Sequence, residues 1–389
     1  MIYLILILKN TLLKILHFSD THLGFNDLDK VGPNGVNLRE QDFYDSFKFV
    51  IDQALEIKPD LIIHSGDFFH RPSPPNRPMI FALEQLNRLA AINIPIVIIA
   101  GNHETPKTIY TSPILKAFKT VKGVHPVFGQ GYQMATFGDL IVHGLPHIND
   151  ERVLLEEMDK INPLPEKFNI ILLHTSIGKR YIMEEFGEQL YPPERLELLN
   201  KFDYVALGHW HNFQKVNILE KAWYVGSTER MSDTEAGKEK GFCMLNLKKD
   251  FPVEPVFHPV PARPWFRFDI KKCEEKTVEE IEKELVELAA SQPHENAIIS
   301  VYFHQIQNLQ SIALTHRKLE IIFEEALQVH GKRIFSTSDR EHDTQRWSNS
   351  GKSTTELLTD FIKEQSEEKA DGLVEKAKGY FDTWEKRRK

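Results

Sequence analysis

Two kinds of hydrophobic pattern alternate along this chain. Short continuous apolar runs lie at residues 12–18 (LLKILHF), 61–64, 95–100, 168–174 (FNIILLH) and 204–208. Such runs suit strands buried on both faces of a sheet. Between them, apolar positions recur every three to four residues. Phe43, Phe47, Val50, Ile51, Ala54 and Leu55 predict one helix, stopped at Pro59. Ile80, Leu83, Leu86 and Leu89 predict a second over residues 78–91, with that stripe facing the sheet. Residues 112–118 read as a short element. Residues 124–128, 132–137 and 140–143 read as shorter strands, Trp223 to Val225 as another, and 241–247 as a closing strand. Strand, helix, strand in this order is the βαβ signature of a covered sheet.

The pattern changes after residue 250. Pro252, Pro255, Pro259, Pro261 and Pro264 mark a boundary, so 1–250 reads as the main domain and 251–264 as a proline-rich linker. Residues 265–335 read as a small α/β domain: strands at 265–270 and 297–303, helices at 278–288 and 319–329. Residues 336–353 are polar and read as a second linker. In 354–389, Leu357, Leu358, Phe361 and Ile362 form one apolar face, and Val374, Ala377, Phe381 and Trp384 another. Two amphipathic helices broken near Gly372 fit that spacing, and such faces need something to pack on. The opening stretch, Ile2 to Leu8, is apolar. It is shorter than the roughly 20 residues a membrane span needs, and no small-residue cleavage site follows it. An added edge strand or an extension is expected there, and no membrane partner.

Composition narrows this little. The chain has 389 residues, 41% hydrophobic, enough for two or three domains with real cores. A formal net charge of −8 excludes a generally basic coat but leaves room for a local nucleic-acid patch. Cys243 and Cys273 form no motif, which makes a reducing compartment the default. No GxxxxGK[ST] loop is present, so no nucleotide is expected to bind by that route.

The strand ends carry the chemistry. Residues 12–18 run into Asp20 and His22, two apart, which in an extended loop would share one side. The next run meets Gly66 and Asp67. The others end in Asn102 and His103, in His174, and in His209 and His211. One strand-end aspartate or histidine is ordinarily a turn or core residue. Five matched strand ends are not explained that way. Carboxylates, imidazoles and a carboxamide together suit a pair of transition metals (Mn2+, Fe2+ or Zn2+) better than Mg2+, which prefers oxygen shells. Asp67, from a central strand, is the natural bridge. Such a pair serves phosphoryl chemistry. Lys30, Arg71, Lys107, Lys179, Arg180 and Arg230 lie in loops near these strand ends, where they are candidates for phosphate contacts.

These phrases resemble a known set. DxH at Asp20 and His22, GDxxH at Gly66, Asp67 and His70, GNHE at Gly101 to Glu104, His174, and GHxH at Gly208, His209 and His211 are similar to the calcineurin-like metallophosphoesterases. HFSDTHLG at 17–24, HSGDFFHRPSPP at 64–75 and GHWH at 208–211 resemble, more narrowly, the double-strand-break-repair nucleases of the Mre/SbcD family. The resemblance implies a metallophosphoesterase β-sandwich flanked by helices, with a smaller α/β capping domain and a C-terminal helical tail. It implies two Mn2+, or other divalent transition metals. Asp20, His22, Asp67 and His211 would hold one; Asp67, Asn102, His174 and His209 the other. His103 would serve the departing oxygen and His70 the phosphate. Glu104 replaces the family's usual aspartate and would sit just behind the metals. The implied activity is Mn-dependent exonuclease (3'-5') and endonuclease cleavage at DNA ends in double-strand-break repair. The implied partners are DNA ends, contacted by the capping domain, a second copy of the chain through helices near 78–91 and 112–118, and a coiled-coil ABC-type ATPase on the C-terminal helices. A phosphodiesterase or protein phosphatase of the same superfamily is the alternative. The implied location is cytoplasmic or nucleoid-associated in a prokaryote, nuclear in a eukaryote.

Overall fold

The computed structural model describes residues 12–108, 110–129, 131–178, 190–248, 253–335 and 374–375. The apolar N-terminal stretch, the linker at 336–353, nearly all of the tail and Lys179 and Arg180 therefore lie outside the described residues. The chain divides into two compact units: Met1–Arg267 with Glu295–Ile298, and Phe268–His294 with Ile299–Lys389.

The first unit holds two six-stranded sheets. Its strands are β1 (Leu13–Phe18), β2 (Leu61–His64), β3 (Ile96–Ile99), β4 (Val124–Val127), β5 (Gln133–Phe137), β6 (Leu140–Leu145), β7 (Phe168–His174), β8 (Tyr204–Gly208), β9 (Gln214–Lys215), β10 (Ala222–Tyr224), β11 (Gly241–Leu247) and β12 (Val256–Pro259). One sheet runs β12-β11-β1-β2-β3-β4 and the other β5-β6-β7-β8-β10-β9. The strands β1 to β4 are mutually parallel, as are β6, β7 and β8. The two-residue side-chain period sorts each strand between two cores. Leu61, Ile63, Val97 and Ile99 meet Ile170, Leu172, Tyr204 and Ala206 between the sheets. Ile62, Ile96 and Ile98 instead face a helix layer, and Ile171, Leu173, Val205 and Leu207 face another.

Helix α1 (Leu38–Ile57) starts at Asn37, whose side chain accepts from the amides of Arg39 and Glu40, and ends at Lys58 in a left-handed turn before Pro59. It buries Phe43, Phe47, Val50, Ile51 and Ala54, as its spacing predicts. Helix α2 (Asn76–Ala91) is rotated from the expected stripe. It buries Pro78, Ala82, Gln85, Leu86 and Leu89, while Ile80 is 56% exposed. Pro78 is packed close to Gly24, where an added Cβ would lie 3.0 Å from its Cγ. A short helix, α3 (Glu151–Met158), capped by Asp150, has no counterpart in the sequence reading, nor has the single turn α4 (Leu196–Leu199). The proline-rich stretch at 251–264 carries a strand, because β12 pairs antiparallel with β11. Proline at such an edge leaves no ladder bond unmade.

A three-stranded sheet, most of it in the second unit, runs β13 (Trp265–Ile270), β14 (Ile298–Ile306) and β15 (Gln328–Phe335), in that order. Helix α5 (Val278–Ser291) opens with a capping box of Thr277 and Glu280 and buries Ile281 and Leu285. Helices α6 (Asn308–Ala313) and α7 (His316–Ile322) follow. The single helix expected over 319–329 is thus corrected. Leu319 and Phe323 bury a helical face, and Val329 belongs to a strand that starts at Gln328.

Candidate metal centre

The carboxyl ends of β1, β2 and β3 in one sheet, and of β7 and β8 in the other, deliver their polar residues to one place. The loops after β1 and β2 run side by side. The amides of Asp20, His22 and Leu23 donate to the carbonyls of Gly66, Asp67 and Phe68 at 3.0, 3.0 and 2.9 Å. The loop after β1 is not extended, contrary to the sequence reading. Asp20, His22, Asp67 and His209 all take positive φ, at 52°, 40°, 54° and 91°. Non-glycine residues adopt that conformation at a cost of order 1–3 kcal/mol each, and they cluster at functional sites. Glycines make room for them. A Cβ on Gly101 would collide with Asp67, and one on Gly66 with the ring of His174.

Asp67 lies at the centre. Its Oδ2 is 3.1 Å from His174 Nε2, 3.7 Å from His22 Nε2 and 4.0 Å from His103 Nε2, and its Oδ1 accepts from the His103 amide at 2.9 Å. His22 Nε2 is 3.2 Å from His211 Nε2 and 4.0 Å from Asp20 Oδ1, which is itself 3.9 Å from His211 Nε2. Three overlapping groups with metal-ligand geometry follow: Asp20 with Asp67 and His174, Asp20 with His22 and His211, and His22 with His70 and His103. Asn102 Oδ1 stands 3.0 Å from His174 Nε2. His209 enters differently. Its amide donates to Asp20 Oδ1 at 3.0 Å, and its ring lies edge-on to that of His174, outside the three groups.

The tautomers are set by fixed partners. His174 Nδ1 donates to the Ser65 carbonyl at 2.9 Å, and His211 Nδ1 to Glu235 Oε1 at 3.1 Å. Each leaves its Nε2 turned toward the carboxylates, the usual arrangement behind a metal-binding imidazole. His22 Nδ1 is buried without a partner. Electrostatics agree. Burial would raise the Asp67 carboxyl, but His174, His22 and His103 hold it well below the ordinary range. Burial would lower His174, but Asp67 and Asp20 carry it up to about 10. Burial, partly offset by His174 and His211, raises Asp20. Burial holds His209 down to about 3, and burial with His103 beside it holds His70 down to about 4. Glu104, buried and close to Asp67, is pushed well up; its Oε1 accepts from the Phe68 amide. Two carboxylates and several imidazoles converging in a buried spot fit a pair of transition-metal ions.

Arg230 does not stand free for phosphate. It donates to the carbonyls of Arg263 and Lys238 at 2.7 and 2.6 Å and fastens its own loop. Arg71 and Lys107 are exposed. The sequence reading missed Glu235 and Lys240. They sit in a run of charges, 235–240, that reads as a solvated loop, yet both are buried. Among the described residues no helix is long and apolar enough to cross a membrane.

The calcineurin-like phosphoesterase family matches residues 13–213. The chain is 30% identical over 256 residues to a DNA double-strand break repair protein Mre11 of Methanococcus maripaludis, covering 63% of this chain and 66% of that one. It is 27% identical over 398 residues to the protein of that name from Sulfolobus acidocaldarius, covering 95% of this chain and 100% of that one. A third, from Sulfurisphaera tokodaii, is 35% identical over 252 residues, 62% of this chain and 61% of the other. The resemblance read from the motifs and these similarities point the same way.

Proposed function

The chain belongs to the calcineurin-like phosphoesterase family, and from that premise we propose that it hydrolyses phosphodiester bonds at DNA ends with two transition-metal ions, Mn2+ foremost. The observation that carries the reading is the Asp67-centred cluster, in which five strand ends bring carboxylates and imidazoles within ligand distance of one another. The match along the whole Sulfolobus acidocaldarius repair protein supports DNA as the substrate. Asp20, His22, Asp67 and His211 would hold one metal, and Asp67, Asn102, His174 and His209 the other. When bound, such a pair supplies Lewis acidity toward water and phosphate.

The chain's own residues supply the rest. His103 keeps its Nδ1 proton on the His70 carbonyl at 3.0 Å, so Nε2 is the nitrogen that would hand its proton to the departing oxygen, the imidazolium becoming a neutral imidazole. Its side chain is 35% exposed, against 3% for that of Asp67. His70, its ring centre 5.0 Å from that of His103, orients the phosphate. The strands β2 and β3 beside Asp67 are buried throughout, and its carboxylate would be shared by both metals.

The reading extends to partners. Residues 265–335 would cap the DNA, the apolar faces of 354–389 would dock on a coiled-coil ABC-type ATPase, and a second copy would meet this one through the helices near 78–91 and 112–118. The protein's place would be the compartment that holds the DNA. Co-purification of the ATPase with the full chain, and its loss on deleting 354–389, is the measurement for the docking step. For the substrate, end-labelled duplex DNA, a phosphoserine peptide and a cyclic nucleotide are offered in parallel with Mn2+. Release of nucleotides from DNA is expected. Turnover of the peptide or cyclic nucleotide with DNA untouched would overturn the assignment in favour of another phosphoesterase.

A further inference from the structure

Behind one proposed ligand lies a buried ion pair that stability alone does not explain. Lys240 is 1% exposed and Glu235 4%, and they form a short salt bridge. Desolvation offsets much of the attraction in such a pair, and apolar residues of the same size often do as well. Both ends of this pair converge on His211. Glu235 Oε1 accepts from His211 Nδ1 at 3.1 Å and from the Met231 amide at 3.2 Å. Lys240 Nζ donates to the His211 carbonyl at 2.6 Å, and the Ser227 amide donates to the same oxygen at 3.1 Å. Ring and backbone of a single residue are therefore clamped from two sides.

The proposed ligands are not anchored alike. His174 rests on a neutral carbonyl, that of Ser65. His211 rests on a carboxylate, which fixes the same tautomer and also makes the far nitrogen a better donor. Lys240 balances the carboxylate charge, so the loop can bury it. We propose that Glu235 and Lys240 are positioning residues that hold His211 Nε2 toward Asp20 and His22 and strengthen the one metal site that includes it. This rests on the dinuclear reading above.

The test is calorimetric titration of Mn2+ into the full chain, with thermal melting of the metal-free protein alongside. The unaltered chain is expected to take up two ions. In Glu235→Gln, one ion should bind as before and the other about 10–100-fold more weakly. Glu235→Asp, which keeps the charge, should recover part of the loss. A merely structural role would lower the melting temperature and weaken both ions together; that result, or two ions bound with unchanged affinity, overturns the proposal. Fewer than two ions in the unaltered chain overturns the dinuclear reading itself. If the Glu235 variants do not fold, nitrogen NMR of the unaltered zinc-loaded chain decides. A slowly exchanging proton on His211 Nδ1 is expected, and a proton on Nε2 overturns the proposal.

Discussion

At the scale of single residues, the site separates groups that hold from groups that react. His103 touches Asp67 only through its amide and a 4.0 Å approach of its ring, and its side chain is 35% exposed. His103→Ala should therefore keep metal uptake and lose about 10²–10⁴-fold in cleavage rate, the usual contribution of a positioned proton donor. Loss of both ions in that variant would make it a ligand. His17 illustrates a purely structural histidine. It is buried between Tyr204 Oη and Ser65 Oγ, at 3.0 and 2.9 Å, and burial lowers it from 6.5 to about 3. Between those values the unfolded chain binds the proton and the folded chain does not. The stabilisation is thus complete above pH 6.5 and is lost as pH falls toward 3. Denaturant titrations should show about 2 kcal/mol less stability at pH 5 than at 6.5 from this group alone, a difference absent in His17→Asn. The donor residues were legible because each ends an apolar run, where open α/β sheets place their ligands. Glu235 and Lys240 were not, because charge in a loop looks the same in sequence whether solvated or buried.

At the scale of elements, the βαβ reading located every strand that feeds the site, since strands buried on both faces leave nearly unbroken apolar runs. Rotation of a helix is less visible. Met79, Ile80, Phe81 and Leu83 are all apolar, so spacing alone does not say which of them is buried; in the structure the inner face is Pro78, Ala82, Gln85, Leu86 and Leu89. The runs near 319–329 failed for a related reason: Leu319 and Val329 are both buried, but one in a helix and one in a strand. The outward turn of α2 leaves Ile80 exposed beside the partly buried Met79 and Leu83. We take this face as the candidate surface for a second copy of the chain. Light scattering at micromolar concentration should give twice the chain mass of 45.1 kDa, and Ile80→Glu should return it to one chain. A single-chain mass before substitution would rule the dimer out.

At the scale of the whole molecule, one sandwich unit supplies all the proposed metal ligands, and the smaller unit adds none of the candidate metal groups found among the described residues. The proposed chemistry therefore rests on the first unit. It also depends on one carboxylate. Asp67 is the group that the histidines of both sheets approach, and a neutral amide of the same shape cannot supply its charge. The decisive measurement is release of nucleotides from end-labelled duplex DNA by the unaltered chain and by Asp67→Asn, side by side, with Mn2+ and with a chelator. The unaltered chain should cut with Mn2+ and stop with the chelator, and Asp67→Asn should fall by more than about 10²-fold. Cutting that survives the chelator, or an Asp67→Asn chain as fast as the original, would contradict the account.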